Sequence, residues 1–174
     1  NNTALGHAAL YTNTASNNTG LGYRALYTTS TGADNTAVGR ESLTLNSTGE
    51  QNTSVGSLSM DANTTGSYNS SVGYNSLGAN TTGVRNVAIG YSSLGLNTTG
   101  DFNTSVGMYA LDANSTGDSN TGVGYQALSA NTTADNNTAV GVSALLVNTT
   151  GSLNAALGGD SLKANTTGAQ NVAV

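Results

Sequence analysis

The chain has 174 residues with 23 Gly, eight Tyr, one Phe and no Pro, Cys or Trp, and its nine acidic and four basic side chains give a net charge of −5. Without Cys there are no disulfides and no thiolate metal sites, and the scattered Arg24, Arg40, Arg85 and Lys163 leave no electrostatic footprint for nucleic acid. No apolar run approaches the roughly 20 residues that a membrane span needs, and no basic-then-apolar leader opens the chain.

From the first residues onward one unit repeats. Gly6, Gly22, Gly39, Gly56, Gly73, Gly90, Gly107, Gly124, Gly141 and Gly158 are separated by 16 residues once and then by 17 eight times. With the Asn of each Asn-Thr pair as position 1, units start at Asn2, Asn18, Asn35, Asn52, Asn69, Asn86, Asn103, Asn120, Asn137, Asn154 and Asn171. Residues 1–174 therefore read as one continuous array, cut from a longer one, in which each unit contacts its neighbours. The first unit is one residue short within Asn13-Thr14-Ala15, which places that stretch in a turn, because a deletion inside a strand would flip every later side chain.

A 17-residue unit with Gly at positions 5 and 15 is too short for two helices, and Gly and Asn at this density make turns. The expected fold is all-β: a parallel β-solenoid of about ten coils, with strands of about four or five residues and coils stacked at about 4.8 Å. Position 4 is always aliphatic (Val38, Val55, Val72, Ile89 and Val106 in the middle coils), and position 9 is Leu in nine of ten units (Leu43, Leu77, Leu94, Leu111), with Met60 the exception. These two columns are the predicted interior, Gly39, Gly56, Gly73, Gly90 and Gly107 the predicted turn glycines. About two aliphatic side chains per coil do not offset the backbone entropy of 17 residues, so a second apolar face buried between chains is expected.

Position 1 is Asn in every unit, including Asn86-Val87-Ala88, which is no glycan acceptor, so its column reads as structural. Position 12 differs. Asn46, Asn63, Asn80, Asn97, Asn114, Asn131, Asn148 and Asn165 each begin an acceptor sequon, making this column the candidate for N-linked glycosylation, with a duplicated Asn-Thr-Thr-Gly turn as the alternative. Further sequons begin at Asn1, Asn17, Asn52, Asn69, Asn103 and Asn136. Tyr23, Tyr74, Tyr91 and Tyr125 share position 6 with unlike residues, which points to a variable exposed site rather than a sugar-stacking stripe. Asp101, Asp118 and Asp135 share position 16 and read as a solvated edge rather than a cation site. With a lone His7 and no activating partner for Ser or Thr, neither a catalytic constellation nor a metal or cofactor site is expected.

The segments Asn35-Thr36-Ala37-Val38-Gly39, Asn86-Val87-Ala88-Ile89-Gly90 and Asn137-Thr138-Ala139-Val140-Gly141 resemble the repeat signature of YadA-like trimeric autotransporter adhesin heads, and similar Asn/Thr/Gly-rich tandem repeats occur in phage tail fibres and surface proteins. The resemblance runs through half of each unit along the whole chain, although the unit here is longer than the family's. It implies a left-handed roll, three chains side by side, and attachment to host surfaces. The expectation is thus a non-enzymatic, self-associating fibre segment, extracellular or on a cell or virion surface. Carbohydrate enters as a covalent glycan or a surface ligand. A glycan-coated filament scaffold is the alternative, and an ice-binding repeat surface a weaker one, since neighbouring Thr64 and Thr65 would point opposite ways on a strand.

Overall fold

The computed structural model describes residues 1–174 and contains strands and turns but no helix. Each coil contributes one strand at positions 2–4: β1 Thr3–Leu5, β2 Thr19–Leu21, β3 Thr36–Val38, β4 Thr53–Val55, β5 Ser70–Val72, β6 Val87–Ile89, β7 Thr104–Val106, β8 Thr121–Val123, β9 Thr138–Val140, β10 Ala155–Leu157 and β11 Val172–Ala173. They form one parallel sheet in sequence order, and every pair is in register by repeat position, as in Thr36↔Thr53, Ala37↔Ser54 and Val38↔Val55. The chain is a β-solenoid of about ten coils. The short first coil keeps this register, Thr3↔Thr19, because its missing residue falls outside the strands, between Asn13 and Asn18.

The strands are three residues long rather than four or five. The backbone beyond position 4 explains the shortness. Gly at position 5 takes a φ of 114–142° in all ten coils, and the residues at positions 7, 9 and 17 adopt left-handed angles, giving 30 non-glycine residues with positive φ. Such angles oppose the intrinsic preference of L-residues. Here they turn the peptide so that its N–H reaches a neighbouring coil: Glu41 donates to Tyr23 O at 2.8 Å, Leu43 to Ser59 O at 3.1 Å and Gln51 to Ala33 O at 3.1 Å. Positions 5–17 are thus held by a coil-to-coil ladder that is not a strand ladder. Only 20 of 111 backbone hydrogen bonds lie within strands.

The interior is narrow. In each three-residue strand the middle residue points inward and its two neighbours outward, so position 3 (Ala37, Ser54, Ser71, Ala88, Ser105) is fully buried. Facing it are the position 9 side chains Leu26, Leu43, Met60, Leu77, Leu94, Leu111, Leu128 and Leu145, all at 0% exposure. Small residues at position 3 are required by that leucine column: a Cβ built on Gly122 would stand 3.2 Å from Leu111 Cγ. Position 9 is therefore interior, as expected.

Position 4 is not. Val38, Val55 and Val106 are half-buried, and Val72 and Ile89 are 42% and 43% exposed. The period-2 alternation of the strand, with position 3 turned inward, leaves position 4 on the outer face. Replacing Leu94 by Ala is expected to destabilise the chain by about 2–5 kcal/mol, the range for removing a buried Leu from a site that relaxes incompletely. Val72→Ala should cost about 1 kcal/mol or less in a monomeric rod, and chemical denaturation of the two variants checks the contrast.

Candidate interaction surface

Beside these columns the interior holds the small position 8 residues, such as Ser42, Ser59, Ser76 and Ala127, and two ladders of asparagine amides. At position 1, Asn35 Nδ2 donates to Gly49 O within its own coil at 2.8 Å, and its Oδ1 accepts the backbone N–H of Asn52 in the next coil at 3.0 Å. At position 12, Asn63 Nδ2 donates both to Asn46 Oδ1 of the preceding coil at 2.8 Å and to Gly66 O at 3.0 Å. One carbonyl at position 15 therefore serves both ladders: Gly66 O accepts Asn52 Nδ2 at 2.9 Å as well. Ala134 stands at this position in one coil, with its carbonyl taking Asn120 Nδ2 at 2.7 Å and Asn131 Nδ2 at 3.0 Å. No buried side-chain nitrogen or oxygen is left without a partner.

This geometry corrects the glycan-acceptor expectation. Asn46, Asn63, Asn80, Asn97, Asn114, Asn131 and Asn148 are completely buried, and Asn165, partly exposed in the last full coil, still donates to Asn148 Oδ1 at 2.9 Å and Gly168 O at 2.9 Å. A sugar on Nδ2 would break those bonds and fill space that the next coil occupies. The turn alternative describes these residues, with the addition that the turn faces inward. At position 12 of the second coil stands Thr29, which is fully buried as well. The accessible sequon asparagines are Asn1, Asn17 and Asn136, while Asn52, Asn69 and Asn103 are buried.

Asp101, Asp118 and Asp135 do stack along one edge, but each carboxylate is engaged. Asp101 Oδ1 accepts Val84 N–H at 2.7 Å, Asp118 Oδ1 accepts Asp101 N–H at 2.7 Å, and Asp135 Oδ1 accepts Asp118 N–H at 2.8 Å. The column supplements the backbone ladder at position 16. Beside it, at position 17, the Arg85 guanidinium lies between the rings of Tyr68 and Phe102, 5.3 and 5.4 Å from their centroids, and the Tyr68 hydroxyl donates to Glu50 at 3.1 Å. That hydrogen bond to a carboxylate raises the Tyr68 pKa. Half-burial raises the carboxyl pKa of Asp112, and burial with help from the Glu41 charge does the same for Asp61 against opposing backbone hydrogen bonds. No three His, Asp or Glu side chains converge on a point, and no pocket indents the surface.

What the surface does present is apolar and continuous. The position 4 column runs along the outer sheet face through Leu21, Val38, Val55, Val72, Ile89, Val106, Val123, Val140 and Leu157, with Ile89 and Leu157 both 43% exposed. In-register pairing sets these side chains one above another, one per coil. Next to this column, two residues along the chain, lie the exposed Tyr74, Tyr91, Met108, Tyr125 and Val142 at position 6. A separate column at position 11 is apolar from Leu45 through Ala62, Ala79, Leu96, Ala113, Ala130 and Val147 to Ala164, with Leu96 55% exposed. Comparison of the chain with protein-family models, with curated proteins and with solved structures finds no match.

Proposed function

We propose that this chain is a self-associating structural segment of a fibre, an adhesin or tail-fibre-type shaft carried outside a cell or on a virion, in which rods lie side by side. One observation supports the reading: an unbroken aliphatic column on the outer face of a sheet whose other outward position is mostly Thr or Ser. A long, flat apolar sheet face favours association unless something covers it. Positions 2–6 span about 14 Å, and ten coils about 48 Å, giving a band of roughly 670 Å² per rod. That approaches the about 800 Å² per partner of stable protein interfaces.

Parallel rods turned with this band toward a common axis bring their position 4 columns together level by level. Each rod then contacts its two neighbours head-to-tail, and a rotation that closes makes a ring of parallel rods. A left-handed coil and a three-membered ring fit the resemblance to trimeric adhesin heads. Sedimentation equilibrium tests the reading. The unmodified chain should sediment as an oligomer, and Val72→Lys with Ile89→Lys should give monomers of unchanged circular dichroism. Thr82→Lys, an exposed change at position 14, should leave the oligomer intact. Monomeric wild-type rods at micromolar concentration would overturn the proposal.

A further inference from the structure

A perfectly repeating stripe has a weakness as an interface. Two rods displaced by one coil rebuild nearly the same position 4 contacts, so the aliphatic column specifies direction and distance of approach but not axial register. Register needs a feature that does not repeat. Position 6 supplies one: along the chain it reads His7, Tyr23, Arg40, Ser57, then Tyr74, Tyr91, Met108, Tyr125, then Val142 and Gly159. Four consecutive coils carry large apolar or aromatic side chains there, all exposed.

Their arrangement makes the block stiffer than four separate residues. Tyr74 and Tyr91 stack with centroids 5.3 Å apart and planes at 16°, and Tyr109 from the adjoining position 7 meets Tyr91 edge-on at 5.4 Å and 79°. Tyr74, Tyr91 and Tyr109 therefore form one ordered cluster, and Met108 and Tyr125 extend the block to about 19 Å at the coil rise. Immediately before it stand Ser57 and the charged Arg40, whose guanidinium pairs with Glu41. A partner slipped by one coil would trade an aromatic contact for one beside Ser57, and slipped by two would approach that ion pair.

We propose that the block Tyr74–Tyr91–Met108–Tyr125 sets the register between this chain and a second copy of itself, holding neighbouring rods parallel with no axial offset. The inference rests on the self-association proposed above. Zero offset is also what a closed ring requires, since a fixed displacement per subunit winds into an open helix. The aliphatic column then supplies most of the contact area, and the aromatic block separates full alignment from displacements of one or two coils, which lose only about one coil of contact per step.

Because the chain has no cysteine, a single Thr116→Cys at the exposed position 14 of the seventh coil accepts one spin label per molecule. The oligomer should give narrow inter-label distances. Replacing Tyr74, Tyr91, Met108 and Tyr125 by Ser should preserve the oligomeric mass while broadening the distribution, as alignments displaced in steps of about 4.8 Å become populated. Ser57→Tyr, which lengthens the block without removing anything, should also broaden it and guards against misfolding of the multiple variant. An unchanged narrow distribution in Ser57→Tyr overturns the register proposal alone, as does loss of the oligomer in a folded four-Ser variant, which would make the block a source of affinity. A monomeric wild-type chain overturns the self-association on which it rests.

Discussion

Gly90→Ala is expected to break the stack between the sixth and seventh coils, at a cost of at least about 4 kcal/mol. The backbone at Gly90 has φ +132°, where a side chain is strained in any surroundings, and a Cβ there would lie 2.7 Å from both the carbonyl carbon and oxygen of Gly107. Neither partner can yield, because Gly107 N–H already donates to Ile89 O at 2.8 Å and Gly90 N–H to Val72 O at 2.8 Å. Gly95→Ala is the matched control. Its nearest neighbour would be the flexible Asp112 carboxylate at 2.9 Å, and position 10 holds Thr44, Asp61 and Asp112 in other coils, so it should cost less than about 1 kcal/mol. Urea unfolding separates the two, and amide exchange should localise the Gly90→Ala damage to the coils on either side. Equal stability of the two variants would contradict the stacking geometry.

Asn80→Ala carries the second large effect. Asn80 Nδ2 donates to Asn63 Oδ1 at 2.8 Å and Gly83 O at 3.1 Å, while its Oδ1 accepts Asn97 Nδ2 at 2.9 Å. Gly83 O keeps a donor in Asn69 at 2.9 Å, and Asn97 keeps Gly100 O at 3.0 Å, but Asn63 Oδ1, fully buried, is left without this donor. A stranded buried acceptor and the small cavity together should cost about 3–5 kcal/mol. Asn80→Asp sharpens the test. Its carboxylate would face the acceptors Asn63 Oδ1 and Gly83 O, so burial should raise its folded pKa above the unfolded value. The folded state then binds the proton more tightly, and the destabilisation should be full above the folded pKa and shrink as pH falls toward the unfolded one. Denaturation midpoints at pH 7 and pH 4 read this directly. The exposed Thr82→Ala, at a position without a left-handed backbone, should move stability by no more than about 0.5 kcal/mol at either pH.

The repeat period by itself carries the stacking, the parallel order and the in-register pairing, since identical units can align only with like positions level. Position 9 was legible as interior because near-uniform Leu is what a single closely fitted site selects. Position 4 looked the same in composition, yet Leu, Val and Ile alternate there as they do on a face without a fixed partner inside the chain. The sense of a three-residue strand, position 3 inward and position 4 outward, turns on a one-residue phase that composition does not encode. Position 12 misled for another reason. An Asn followed by Thr reads as a surface acceptor in ordinary loops, and only the coil-to-coil amide bond makes it an interior group. The left-handed residues at positions 7, 9 and 17 gave little sequence signal: Asn or Asp stands at a few of them, such as Asp34, Asn75 and Asn136, but Leu, Tyr, Arg and Phe fill others where Gly or Asn would be expected; neighbouring coils hold them there. Of the interaction surface, the tyrosines were visible one by one, but the edge-on contact of Tyr91 with Tyr109, which stands at position 7, was not.

Those left-handed residues mean that a solitary coil has no reason to exist: its angles are unfavourable, and the N–H bonds that reward them reach into another coil. Order should therefore begin with several adjacent coils at once and then extend one unit at a time over a nearly constant sequence separation of 17 residues. Such a chain would grow and unravel like a zipper. Pulled from one end, it should yield in repeated equal steps, one turn of the rod after another, instead of giving way as a single body.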